Sequence, residues 1–132
     1  MKSFGVAGFL YNPKTREVLL HKRDGNTSYN PHKWASFGGL GEGEETPPQA
    51  FVREMEEELG IKLNSDALLP LCDYPSEISG HRYAFYVVSD IPKSEMTLGE
   101  GADFNWIPLD TIFDLELTPR TIQDLRALLE KI

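Results

Sequence analysis

Sulfur and positive charge are scarce in this chain. Cys72 is the single cysteine among 132 residues, which excludes an intrachain disulfide and any zinc site built on cysteine pairs. It follows an apolar run at 68–71 and reads as an inert strand residue, since free cysteine is commonly buried as a small hydrophobe. Lysine and arginine number 13 against 21 aspartates and glutamates, a formal net charge of −8. Domains that grip a nucleic-acid backbone carry a basic surface, so a nucleic-acid polymer is not an expected partner. The histidines, His21, His32 and His81, show no spacing of metal ligands and read as surface or hydrogen-bonding groups. No run approaches the roughly 20 apolar residues of a membrane span. The apolar stretch at 4–11 is broken by Gly5 and Gly8 and lacks the cleavage pattern of a secretory signal. No membrane association is expected, and the expected location is cytoplasmic.

What is present fits one ordinary domain over residues 1–132. The hydrophobic fraction is 40% and the charged fraction 26%, close to the average of soluble globular chains, and this length buries a core without staples. There is no internal repeat, low-complexity tract or linker. Strands are expected at 4–11, 17–23, 34–37, 68–74, 81–88 and 104–107, with a further short one near 96–98. Thr46-Pro47-Pro48-Gln49 carries an N-cap threonine, proline at the first helical position and glutamine at the capping-box position. Gly60 supplies the left-handed stop of that helix. Thr118-Pro119 opens a terminal helix in which Ile122, Leu125, Leu128 and Leu129 recur at helical spacing. Strands, helix, strands, helix predicts a mixed α/β (α+β) architecture, a sheet between helical layers.

The first helix carries the chemistry. Glu54, Glu57 and Glu58 are spaced i, i+3, i+4 and share one arc, while Val52, Met55 and Leu59 fall on the other side. Like charges at this spacing destabilise a helix unless something neutralises them. A solvated acidic face is one reading. A divalent cation is the other, since magnesium prefers oxygen ligands and bridges protein carboxylates to substrate phosphates. Four glycines, Gly38, Gly39, Gly41 and Gly43, precede the helix, where backbone can approach a ligand closely and anions are favoured.

These residues form a continuous pattern. Gly39, Glu45, Arg53, Glu54, Met55, Glu57, Glu58, Gly60 and Ile61 fill every specified position of the Nudix box, here 39–61. With average residue usage such a match at a given start is on the order of one in a billion, which sets the solvated-face reading aside. The chain therefore resembles the Nudix (MutT-like) hydrolases. The resemblance implies a mixed sheet sandwiched between helices and a Mg2+ site, with Mn2+ as a substitute. It implies Glu54, Glu57, Glu58 and the Gly38 carbonyl as metal ligands, and Glu45 and Arg53 as residues that hold the loop on the helix. Glu100, on a loop before Trp106, stands where the resemblance implies a further metal ligand or base, an ordinary surface glutamate being the other reading, and Glu54, Glu57 and Glu100 remain candidates for the base. Two positions depart from the family. Phe37 stands where many relatives have proline before Gly38-Gly39, and Glu44 stands where many have glycine before Glu45.

Substrate contacts are less legible. Arg23 and Lys22 end a strand where similar enzymes contact phosphate. Trp34, Phe37, Tyr83 and Phe85 could stack on a base or pack in the core, and Phe37 and Tyr83 are taken as substrate-binding candidates beside Arg23. Pro75 resembles a proline of ADP-ribose pyrophosphatases only weakly. The expected activity is metal-dependent cleavage of a nucleoside triphosphate. The alternatives are hydrolysis of ADP-ribose or another nucleoside diphosphate derivative, and a catalytically silent Nudix-fold binding module. The expected partner is a small-molecule nucleotide, and the expected state a monomer or homodimer.

Overall fold

The computed structural model describes residues 3–25, 31–77, 79–99, 101 and 103–132. One mixed sheet carries the fold. Its strands are β1 (Gly5–Asn12), β2 (Glu17–Lys22), β3 (Trp34–Ala35), β4 (Phe37–Leu40), β5 (Leu69–Ser76), β6 (Gly80–Val88) and β7 (Asp103–Pro108), and two helices, α1 (Pro47–Leu59) and α2 (Pro119–Lys131), flank it. β1 is central. Along one edge it runs parallel to β6, which pairs in turn with β5. Its other edge is divided: β4 pairs with its first half, Gly8 opposite Phe37, and β2 with its end, Tyr11 opposite Val18. β2 meets β7 along its whole length and β3 only at His21 and Lys22. The segment 34–40 thus enters a fork between β1 and β2.

This corrects the expected single strand at 34–37. The segment is two strands broken at Ser36, and Gly38 and Gly39 belong to β4. Lacking Cβ, they lie closely against β1: a Cβ on Gly38 would sit 2.0 Å from the Val6 carbonyl oxygen. No strand forms at 96–98. That stretch follows a 3-10 turn, Lys93–Glu95, and answers the end of α1 instead, with Thr97 N donating to Leu59 O and Gly99 N to Glu58 O.

Alternation along the strands gives the sheet two apolar faces. Val6, Leu10, Leu19, Phe37 and Phe85 face α1 and enclose Phe51, Met55 and Leu59. Phe9, Tyr11, Val18, Leu20 and Ala84 face α2 and enclose Leu125 and Leu128. Leu129, expected in the packing stripe of α2, is 39% exposed. α1 begins and ends where its caps predict. Gln49 N donates to the Thr46 side chain, the Gln49 side chain accepts from Thr46 N, and Gly60 turns left-handed at φ 68°. Among the described residues no helix is long and apolar enough to cross a membrane.

Candidate active site

α1 buries Ala50, Phe51, Met55 and Leu59, which turns Arg53, Glu54 and Glu57 toward the loop before it. Arg53 organises that surface. Its Nε donates to Glu45 Oε2 at 2.8 Å and its Nη2 to Glu45 Oε1 at 3.2 Å, a two-pronged pair. Nη2 also donates to the Leu40 carbonyl at 2.9 Å, and Nη1 to Glu54 Oε1 at 2.9 Å and Glu57 Oε2 at 3.2 Å. Glu45 in turn accepts from Glu42 N at 2.8 Å. One guanidinium therefore ties the loop, the end of β4 and two glutamates of the helix together. Its hydrogen bond holds the Glu45 carboxyl below its ordinary value. Glu45 raises the Arg53 guanidinium in return, so it stays charged.

Glu54 occupies a narrow place. A Cβ on Gly39 would lie 2.5 Å from its carboxyl carbon, so only glycine at 39 lets this carboxylate rest on β4. Burial pushes its pKa up, against the pull of Arg53. Glu57 is exposed and Glu58 half-buried. Gly38 and Glu58 border the same cavity. The carboxylates share a helix face, but among the described residues no three acidic or imidazole groups are gathered tightly enough to enclose an ion. Arg53 draws Glu54 and Glu57 to itself instead. The donor set still suits a hard divalent cation: it is all oxygen, it lies on a rigid helix, and it is set against glycines that leave room for it. Glu100 lies outside the described residues. Its neighbour Gly99 touches the end of α1 through the hydrogen bond to Glu58 O.

Beside this surface lies a cavity of about 310 Å³, at the lower end of the range for small-molecule sites, about 300–1,000 Å³. It exists because the first α2-facing residues of β1 are Gly5 and Ala7, where Phe9 and Tyr11 fill the later half. Segment 35–40 forms one wall and the start of α2, through Thr118, Arg120 and Thr121, another. The two walls are tied. Thr118 N donates to Trp34 O at 3.0 Å and Ser36 N to Thr121 Oγ1 at 3.1 Å. His21 Nε2 lies 3.0 Å from Ser36 O, and burial lowers the pKa of this imidazole.

Arg23 borders the cavity, as does Phe37, although Phe37 is 1% exposed and belongs to the core. Tyr83 is not brought there. It packs on the α1 side, edge-on to Phe4 and beside His81. Trp34 and Phe85 are packing residues. Cys72 is half-buried, its thiol 3.6 Å from Asp124 Oδ1, and burial raises its pKa to about 11, which favours the protonated thiol.

Sequence reasoning missed Arg82. It lies in β6 beside Tyr83 but on the opposite face, borders the cavity, and pairs with Asp124 of α2, which is 0% exposed. Burial raises the Asp124 pKa, and the hydrogen bond from Arg82 opposes that shift. One signal was available. Asp124 falls on the face of α2 that holds Thr121, Leu125 and Leu128, a carboxylate inside an apolar stripe.

The family model described as NUDIX domain matches residues 1–129. The MutT NUDIX hydrolase from Burkholderia pseudomallei is 23% identical, with 96% of this chain and 98% of that one covered and a TM-score of 0.77. A bifunctional NMN adenylyltransferase/ADP ribose pyrophosphatase from Francisella tularensis, solved with AMP and a manganese ion, is 23% identical over 99% of this chain, at a TM-score of 0.75. A MutT/nudix family protein from Enterococcus faecalis is 21% identical over 80% of this chain, at a TM-score of 0.64. The chain covers 42% and 43% of those last two proteins.

Proposed function

The chain belongs to the Nudix family of hydrolases, and from that premise we propose that it is a magnesium-dependent enzyme that cleaves nucleoside triphosphates to the monophosphate and pyrophosphate. One observation carries the reading. Glu58, from the acidic face of α1, borders the same cavity as Arg23 and Arg82. A phosphate chain laid along α1 thus continues into a space of nucleoside size.

Glu54, Glu57, Glu58 and the Gly38 carbonyl would hold the divalent cation, for which Mn2+ substitutes. When bound, such a cation neutralises diphosphate oxygens and lowers the pKa of a water. The protein's own groups do the rest. Arg53 fixes Glu54 and Glu57 on the helix surface and the loop against them. Glu57, the most exposed of the three box glutamates, takes the proton of the attacking water, and Glu54 and Glu100 are the other candidates for that role. Arg23, at the end of β2, faces the phosphate chain with the charge that suits it. The wall formed by 35–40 excludes water from the nucleoside end. Every box residue is present, which speaks for turnover rather than for a silent binding module.

Hydrolysis of ADP-ribose or another nucleoside diphosphate derivative is a second reading, favoured by the likeness to the Francisella tularensis protein and its AMP complex. Incubation with a panel of nucleoside triphosphates, ADP-ribose and a nucleotide sugar, with magnesium and then manganese, tests both. Pyrophosphate release from a triphosphate is the expected result. AMP and a sugar phosphate from ADP-ribose would favour the second reading. The absence of metal-dependent turnover across the panel would overturn both.

A further inference from the structure

Arg82 is a buried cation on the cavity wall. Its side chain is 7% exposed, and its partner Asp124 is fully buried. Buried ion pairs are weak stability devices, because desolvation offsets much of the attraction. The pair borders a cavity, and its hydrogen-bond inventory is unfinished.

A guanidinium carries five N–H donors in one plane. Asp124 accepts one of them, Nη1 to Oδ1 at 3.0 Å, while its Oδ2 lies 2.8 Å from Nη2 as an ion-pair contact without a hydrogen bond. The Tyr74 hydroxyl, directly across the β5–β6 pair, accepts the other Nη1 proton at 2.8 Å. The donors of Nε and Nη2 are left, and two of them, Nε–H and the Nη2 proton next to it, form a fork. They lie side by side on one edge and point the same way. Neither meets a partner among the described residues. The cavity that Arg82 borders is where an acceptor pair can arrive.

Charge narrows what that acceptor pair is. Asp124 already compensates the guanidinium at hydrogen-bond range, so the free edge has little pull left for a second anion. It is suited to two neutral acceptors held at the spacing of parallel N–H bonds. Tyr74, whose ring centroid is 5.6 Å from the guanidinium carbon, and Asp124 together fix the plane in which the pair must lie.

We infer that Arg82 is the specificity residue for the heterocycle that enters the cavity, and that it selects a base with two adjacent acceptors, guanine through O6 and N7 or cytosine through O2 and N3. Adenine offers N7 beside an amino donor, and uracil carries an N–H between its carbonyls. Either would set a donor against one prong of the fork. The inference rests on the proposed placement of the nucleoside in this cavity, and it goes further by naming the base class and the group that reads it.

The test compares kcat/KM for GTP, CTP, ATP and UTP at saturating magnesium with the dissociation constants of GMP, CMP, AMP and UMP, measured by calorimetry without metal. GTP or CTP should lead ATP and UTP by on the order of ten-fold or more, the discrimination one two-pronged contact supplies. The difference should reside in KM, and the monophosphates should bind in the same order. Arg82→Lys keeps the charge and loses the fork, so the four bases should move toward parity. Because a lysine could leave Asp124 poorly paired, Arg82→Met with Asp124→Leu serves as a second variant. It removes both charges without stranding either and should show no base ranking. ATP or UTP matching the better of GTP and CTP in the parent would overturn the inference. So would a ranking that survives in both variants, or inorganic phosphate binding that depends on Arg82, which would make the fork an anion site. Turnover without base preference removes this inference alone. Absence of both turnover and binding for all four nucleotides removes it together with the proposed placement of the nucleoside.

Discussion

α1 and α2 are each 13 residues long, and each is entered through threonine and proline. Each lays an apolar face on the same sheet from opposite sides. They differ in where they put their carboxylates. α1 holds Glu54 and Glu57 at its surface under Arg53, with Glu57 59% exposed. α2 places Asp124 at zero exposure in the middle of its packing face, where Arg82 and the Cys72 thiol reach it. Surface carboxylates repel one another, and adding a cation relieves that repulsion, so the α1 set is open to exchange with solvent. The buried carboxylate has a fixed partner, and the pair shapes a cavity wall. One helix is built to take up a changing charge and the other to hold a constant one.

The sharpest way to break this contrast is to neutralise one carboxylate on each helix and measure different quantities. Glu57→Gln should lower kcat by roughly 10²–10⁴-fold at saturating magnesium if Glu57 is the base, with little change in unfolding free energy, because the residue is exposed. Steady-state rates across a magnesium titration check this. A loss that recovers fully at high metal would make Glu57 a ligand only and move the base to Glu54 or Glu100. Asp124→Leu should do the reverse and act first on stability. It strands Arg82 in the interior, which costs about 3–5 kcal/mol, read by urea unfolding. Arg82→Met with Asp124→Leu should restore most of that loss. A double variant as unstable as the single one would mean that the pair contributes packing that the apolar residues do not replace.

The caps sharpen the contrast at lower amplitude. Thr46 is exposed and its hydroxyl accepts one amide, Gln49 N at 3.4 Å. Thr118 is 7% exposed, and its hydroxyl meets Thr121 N at 3.3 Å and Thr121 Oγ1 at 2.6 Å. Thr46→Ala should cost under about 1 kcal/mol and Thr118→Ala about 2 kcal/mol, the two ends of the range for such caps. Thermal unfolding at neutral pH decides it, and equal costs would mean that burial adds nothing to the second cap.

How much of this was legible follows from how far apart the partners lie in the chain. The α1 caps are local, since Thr46, Gln49 and Gly60 act within a few residues of their targets, and these marks placed the helix. Arg53 and Glu45 lie eight positions apart, and the box pattern paired them. Arg82 and Asp124 are separated by 42 positions. Nothing local marks that pair, because only the packing of α2 on β5 and β6 brings it together. The misread segment 34–40 has a related cause. Gly38 and Gly39 look like loop residues by composition, and only the close approach of β1 makes them strand residues. Tyr83 faces the α1 side of the sheet, whereas its neighbour Arg82 borders the cavity, a difference of face that one sequence position decides.

The smallest expected effect concerns His21. Burial lowers its pKa below the ordinary 6.5, so the unfolded chain takes up a proton before the folded one does. Its contribution to stability is complete above pH 6.5 and is lost as the pH falls below that value toward the folded pKa. Unfolding free energies of the parent and of His21→Gln, measured across mildly acidic pH, should converge as the pH drops. Parallel curves would show that His21 keeps its ordinary pKa.

The divided edge of β1 has a consequence for how this protein can change. The hydrogen bonds of Arg53 and those of Arg82 share no residue, and groups without common partners combine additively. Substitutions at the Arg82 end of the cavity should therefore leave the Arg53 network of α1 as it is, and on the proposed function they would retune selectivity separately from hydrolysis. The segment 34–40 hydrogen-bonds to both helices, through Leu40 and Arg53 at one end and Ser36 and Thr121 at the other. That segment is where the two properties become inseparable, and where a library of variants should lose activity and selectivity together.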